Sequence, residues 1–375
     1  YDALSVLTSG AANVAIGKES GKALTTGAHN TFVGTTTGDD MVEGSYNIAI
    51  GSDALGGAKD STADASQFNI FMGVSSGNGA WVTAVSQYNI GIGHYTLDAA
   101  MNGAVNNTTV GHESLGSITT GDSNAALGYY AGNALTTGHS NVIIGENAGS
   151  TATTQLTNSV LIGNDAGQTA VSANHVFIGD HAGYSAVANH GQTFIGYYAG
   201  AVITTGERNT ALGFQALDSA DDCDDSIAIG YQALAGTDAG TNNKNIAIGN
   251  YALDANMTHN QNNIAIGHET LTDLAGSEAL ANVFIGTQAG ISLTNADYNT
   301  GVGHGVMGES AGNAITGLYN SGFGALALYN LAGAASSNTA IGYKAGFQST
   351  TASGSVFLGF TAGETVTTGN KNIAI

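Results

Sequence analysis

Apolar residues in this chain recur in a fixed phrase: two apolar positions one residue apart, preceded by a polar amide and closed by a glycine. "NIAIG" stands whole at Asn47–Gly51, Asn245–Gly249 and Asn263–Gly267, with near copies such as "NVAIG" at Asn13–Gly17 and "NTALG" at Asn209–Gly213. Aligned on its glycine, the phrase occurs twenty times between Gly17 and Gly359, at spacings of 16 to 22 residues and most often 17. Self-similarity at such a period marks a solenoid or stacked array. It runs through 1–375 as a single continuous repeat array without a linker.

The columns predict the elements. The residue before the glycine is apolar in every copy, as at Ile50, Leu212, Ile248 and Ile266; the residue three before it is β-branched in 18 of 20. Such residues two apart, closed by glycine, describe a short strand. Side chains alternate across a strand, so the minus-three and minus-one columns share a face, read here as the core of the coil. Four before the glycine stands Asn in 15 of 20 copies, including Asn47, Asn209, Asn245 and Asn263. That column belongs to the opposite face or the turn, where stacked amides can bond up and down a ladder. The glycine itself, as at Gly51, Gly213, Gly249 and Gly267, marks a bend or a positive φ that a Cβ would forbid. "TTG", ten positions further on, closes a second, weaker strand with a turn. The fold expected is all-β: a parallel β-roll or β-solenoid of about 21 rungs with a ~17-residue repeat, which at about 4.8 Å per rung makes a rod of roughly 100 Å.

The minus-two column should then face outward, yet it holds Ala15, Phe32, Ala49, Phe71, Ile143, Leu161, Phe177, Phe194, Phe284 and Phe357, and no charge. Strands buried on both faces read this way. A cyclic homo-oligomer would cover such a column; a wide single-chain solenoid holding both columns inside is the alternative.

Composition narrows the function classes. Glycine is abundant (56 residues) and proline absent, but 42% hydrophobic content argues against disorder. Seven basic residues against 28 acidic ones, a net charge of −21, exclude a phosphate-binding stripe and hence nucleic acid. No apolar run is long enough to insert in a membrane. The single Cys223 excludes an intrachain disulfide framework. A polar surface with few charges suits an extracellular protein.

"NxAIGxxA" resembles the YadA-like head repeats of trimeric autotransporter adhesins, and the longer "NTALGFQAL…TTG…NT" resembles the repeat arrays of bacteriophage tail fibres. The resemblance covers essentially the whole chain. It implies a left-handed, homotrimeric roll serving as fibre shaft or adhesive head on a virion tail fibre or cell surface. The adhesin repeat is shorter than 17 residues, and no coiled-coil stalk or anchor pattern stands within this sequence. The ends fall mid-phrase, "YDAL" at Tyr1–Leu4 and "NIAI" at Asn372–Ile375. They read as cuts through a longer array, or as the joints of a self-assembling filament.

Candidate chemistry is sparse. His94, His112, His268 and His304 all follow the repeat glycine, a repeat position without metal-ligand spacing. "DDCDD" offers Asp221, Asp222, Asp224 and Asp225 as a weak calcium candidate, but without the glycine and spacing of an EF-hand loop it reads as a solvated loop. Tyr129, Tyr130, Tyr197 and Tyr198 follow repeat glycines, where they can stack on sugars or cap the edges of the roll. Trp81, the only tryptophan, lies in one of the longest spacings, where recognition loops tend to sit. The expectation is a non-enzymatic structural and adhesive fibre segment without a cofactor, self-associating and meeting a cell-surface glycan or receptor. The alternatives are a filament subunit that grows end to end, or a polysaccharide-degrading spike enzyme. An enzyme should break the repeat around a carboxylate-lined groove, and the columns here continue to the end.

Overall fold

A computed structural model describes all residues except 1, 58–64, 82–83, 153–155, 188–189, 220–221, 237–242, 256–258, 275–278 and 309–313. The fold is the expected all-β parallel solenoid, with one short strand in each repeat. The chain divides into two compact units, Tyr1–His190 and Gly191–Ile375. The first runs from β1 (Val14–Ile16) to β10 (Val176–Ile178), the second from β11 (Thr193–Ile195) to β21 (Ile373–Ala374). Within each unit every strand pairs in parallel with the next, phrase upon phrase. Ala49 of β3 (Ile48–Ile50) faces Phe32 on one side and Phe71 of β4 (Ile70–Met72) on the other. The 22-residue spacing between Gly51 and Gly73 leaves that register intact, so the extra length is absorbed between the turn and the next Asn. Among the described residues no helix is long and apolar enough to cross a membrane.

The inside of the coil is the reverse of the expected one. The minus-two column is buried: Phe32, Phe71, Phe177, Phe194, Phe284 and Phe357 are all 0% exposed. The minus-one and minus-three columns face outward instead, with Ile16 61%, Leu127 50% and Leu212 44% exposed, Ile50 also exposed, and Ile248 and Ile266 half-buried. The reason lies in the Asn column, which shares its face with minus two. Asn47 donates from both its backbone N–H (2.9 Å) and its Nδ2 (3.2 Å) to Oδ1 of Asn30, and Nδ2 also reaches the carbonyl of Ser66 at 2.9 Å. Asn69 repeats the pattern on Asn47, and Asn263 repeats it on Asn245. A polar side chain that recurs at every rung supplies its own partners, so it can be buried without leaving a group unsatisfied. Where Gln192 and Ser226 replace Asn an acceptor is kept: the N–H of Asn209 reaches Gln192 Oε1 at 2.8 Å, and that of Asn245 reaches Ser226 Oγ at 3.1 Å.

Beyond the glycine the chain forms stacked turns where a second strand was expected. Residues two and four past it take left-handed backbone, as at Gln215 (φ 51°) and Leu217 (φ 56°). Their amides bond alternately down and up the stack, Gln215 N–H to Tyr197 O at 2.8 Å and Leu217 N–H to Ala233 O at 3.0 Å. Alternating left-handed residues curl the chain too tightly for an extended strand, while these axial bonds hold each turn to its neighbours. The repeat glycine behaves as expected. Gly51 has φ +135°, and a Cβ there would lie 2.4 Å from the carbonyl oxygen of Gly73.

Large side chains at the two interior positions of a rung exclude each other. All six Phe at minus two have glycine four past the repeat glycine, as Phe194 has Gly200. The nine rungs with Leu or Met at plus four carry Ala, Gly or Thr at minus two, as Leu217 goes with Ala211. A Cβ on Gly200 would lie 2.5 Å from the Phe194 ring, whereas Leu217 and Ala211 are both fully buried. No rung carries a large side chain at both positions; where both are small, as at Ala126 with Gly132, Leu115 and Ile143 of the neighbouring rungs fill the space.

Two mutational results follow from this packing. Phe194→Ala should cost about 3–5 kcal/mol and Gly200→Leu about 1–3 kcal/mol, while the double variant should recover most of the loss, measured by denaturant unfolding. Asn263→Val, which strips the ladder bonds to Asn245 and Asn282, should cost about 2–4 kcal/mol, and Asn263→Ser clearly less because it keeps an acceptor.

Candidate functional site

The sequence-selected aromatics separate on folding. Trp81 is a core residue: fully buried, it packs edge-on against Phe71 with ring centroids 5.8 Å apart. The expectation that it forms part of a recognition loop is corrected by that burial, because an indole filling the coil presents no face to a ligand. Tyr197 is exposed, but its ring stacks on Phe214 (5.0 Å) and Phe214 on Tyr231 (5.3 Å), with Tyr198 beside Tyr197 at 4.5 Å. A second ladder, His29–Tyr46–Phe68–Tyr88, has centroid steps of 4.8, 5.1 and 5.2 Å. Rings stacked along the coil spend their faces on one another and turn edges to solvent, which is the capping role.

Tyr129 and Tyr130 belong to a richer neighbourhood. Tyr129 stacks on His112 at 5.4 Å, and the phenol of Tyr130 donates to Glu113 Oε1 at 3.2 Å. Its bonds to Tyr129 and to Glu113 push the Tyr130 hydroxyl up to about 12. Glu113 lines a notch of about 330 Å³ with Tyr95, Asp98, Gly116, Ser117 and Asn133. Asn133 Nδ2 donates to Glu113 Oε2 (3.3 Å) and to its backbone carbonyl (3.0 Å), which fixes the carboxylate against the wall. Asp98 is half-buried. Desolvation pushes it up to about 6, an N–H from Asn78 opposes the rise, and the Glu113 charge adds to it.

The second unit repeats the tyrosine, aspartate and glutamate of this site. Tyr251, Asp254, Glu269 and Thr272 line a notch of about 410 Å³. Tyr251 and Asp254 stand two and five past Gly249, as Tyr95 and Asp98 do past Gly93. Glu269 stands two past Gly267, as Glu113 does past Gly111. Burial raises Asp254 as well, against a backbone hydrogen bond and with help from Asp273 and Glu269. Sequence reasoning missed these six residues. The signal was present as a duplicated pair of phrases, "GHYTLDA" (93–99) then "GHESL" (111–115), and "GNYALDA" (249–255) then "GHETL" (267–271).

Asp224 and Asp225 of the acidic run are engaged by separate partners. Asp225 holds Arg208 through Nε at 2.6 Å and Nη2 at 3.2 Å, a pairing that keeps its carboxyl below the usual range. Asp224 accepts from the backbone N–H of Glu207 at 2.7 Å, Cys223 is buried, and Asp221 lies outside the described residues. With Asp222, these carboxylates do not form a group able to hold an ion among the described residues. Of the glycine-adjacent histidines, His94 accepts from Val74 N–H through Nδ1 at 2.9 Å, and His268 Nδ1 lies 3.7 Å from Glu269.

The architecture defines the class: a parallel β-solenoid, of the kind that repeat-fibre proteins use. Neither a protein-family model nor a curated protein nor a solved structure matches the chain.

The half-buried aspartates set a pH dependence. Asp98, Asp218 and Asp254 are all raised, chiefly by burial. For Asp98 the folded state takes up its proton near pH 6, above the ordinary 3.8, so stability rises as pH falls between those values and is lowest above about 6. The melting temperature should therefore be higher at pH 5 than at pH 7.5. Asp98→Asn should raise it at pH 7.5 by about one to a few degrees and flatten the profile; an unchanged profile would exclude this origin.

Proposed function

We propose that this chain is a non-enzymatic segment of an extracellular fibre, a shaft or adhesive surface on a virion tail fibre or a cell, assembled from three parallel copies. The observation that carries the reading is the outward apolar face of the strands. Ile16, Ile50, Ile92, Val110 and Leu127 in the first unit, and Leu212, Ile285, Ile341 and Leu358 in the second, are all more than a third exposed at one repeat position. A solitary soluble chain rarely leaves so long an apolar strip in water, and an identical strip on another copy is the surface that matches it rung for rung. The resemblance to tail-fibre and adhesin repeats supports the number three and the extracellular setting. A repeat that keeps its hydrogen-bonded columns through each unit supports a mechanical role.

The native mass of the purified chain, taken across a dilution series, tests this. Three times the 37.4 kDa chain mass, held on dilution, is the expected result. A stable monomer would overturn the reading, and a mass that grows with concentration would favour end-to-end filament growth. Ile50→Asp with Leu212→Asp places carboxylates on the outer face without entering the interior; it should reduce the mass to that of one folded chain.

A further inference from the structure

The two notches carry an inference beyond the fibre reading. Each is built at one repeat position of one unit from a tyrosine and an aspartate on one rung and a glutamate on the next. In the first, the column five past the repeat glycine reads Asp98, Gly116, Asn133 on successive rungs, and the missing side chain at Gly116 opens the space between its neighbours. A Cβ there would lie 3.1 Å from Asn133 Nδ2, so a large side chain such as Leu would crowd that amide; in the second notch the equivalent position is Thr272, with Ile291 in place of Asn133 on the next rung.

We propose that each notch is a subsite for one neutral hexopyranose unit of a glycan, its hydroxyls donating to the paired carboxylates and its ring edge lying along the tyrosine. The lining decides the class of ligand. Tyr95, Asp98, Glu113 and Ser117 present acceptors and hydroxyls and no cationic group, which excludes an anionic ligand. Asp98 accepts an N–H from Asn78, and Glu113 accepts from Tyr130 and Asn133. Two carboxylates offer roughly eight acceptor positions, so several remain for a donor-rich guest. A bare divalent cation would need six or more oxygens, and no group of three or more acidic, His or Cys side chains is placed to hold one among the described residues. Volumes of about 330 and 410 Å³ accommodate a single sugar ring and little more.

Each subsite on its own is weak, with a dissociation constant on the order of 1 mM. Useful strength would come from the two notches described acting together, multiplied by the copies in a fibre. That last factor rests on the fibre reading; the subsite itself does not.

The test is ligand-observed saturation-transfer NMR on the full chain with methyl β-glucopyranoside, methyl β-galactopyranoside and N-acetylglucosamine, and a separate calorimetric titration with calcium chloride. At least one pyranoside should receive saturation. The signal should fall by about half in Gly116→Leu, which fills the first notch, and vanish in Gly116→Leu with Asp254→Leu. Asp98→Asn with Asp254→Asn, isosteric changes, should weaken it without altering the circular dichroism. No transfer to any of the three, transfer that survives the double filling, or two calcium ions bound per chain and lost in the same variants would overturn the assignment. Native mass is unaffected by these substitutions, so failure here and failure of the fibre reading are told apart.

Discussion

The buried amide ladder is the interaction on which the other features depend. Asn263 Oδ1 accepts both the backbone N–H and the Nδ2 of Asn282 at 3.0 Å, while its own Nδ2 bonds Asn245 and the carbonyl of Ala279. Such a network is satisfied only when successive rungs lie in register at strand spacing, and one missing amide strands groups on two rungs. Once the amide is inside, strand alternation leaves no freedom: minus two points inward, minus three and minus one outward. The absence of two large interior residues on any one rung and the close approach at Gly51 and Gly213 follow from the narrow interior that results.

The same constraint creates the surface. The β-branched columns that look like a core are displaced to the outside, where they form a regular apolar strip in each unit. The turns beyond the glycine, tied by axial backbone bonds, project residues two and five past it at fixed height. A pair of carboxylates and a tyrosine placed there on adjacent rungs is therefore brought together by backbone geometry, and in the first notch Tyr130 and Asn133 then hold Glu113. Asp98 and Glu113 owe their proximity to that axial register, and Asp254 and Glu269 repeat it because the scaffold repeats.

Legibility of the site followed the same division. The tyrosines after the repeat glycine were visible, and Tyr130 does hold Glu113. The notch was not visible, because its carboxylates are 15 residues apart and look unrelated until the rungs are stacked. Trp81 misled for the opposite reason. A lone tryptophan in a long spacing suggests a loop, yet its ring completes the packing around Phe71. The "DDCDD" run reads as one cluster, but the Glu207 amide engages Asp224 and Arg208 engages Asp225.

Sequence alone determined the period, the parallel stacking, the short strand, the glycine with positive φ and the existence of an Asn ladder. Each is a local property repeated often enough that chance cannot imitate it. Tertiary structure alone decided which face is the inside. The pattern contrasts apolar Ile and Val with polar Asn, and hydropathy by itself sends Asn outward. Only when identical amides lie above one another does burial cost them no hydrogen bonds, and that stacking belongs to the folded coil. The second segment was settled the same way: left-handed turns replace a strand because the neighbouring turns' carbonyls are there to receive their amides.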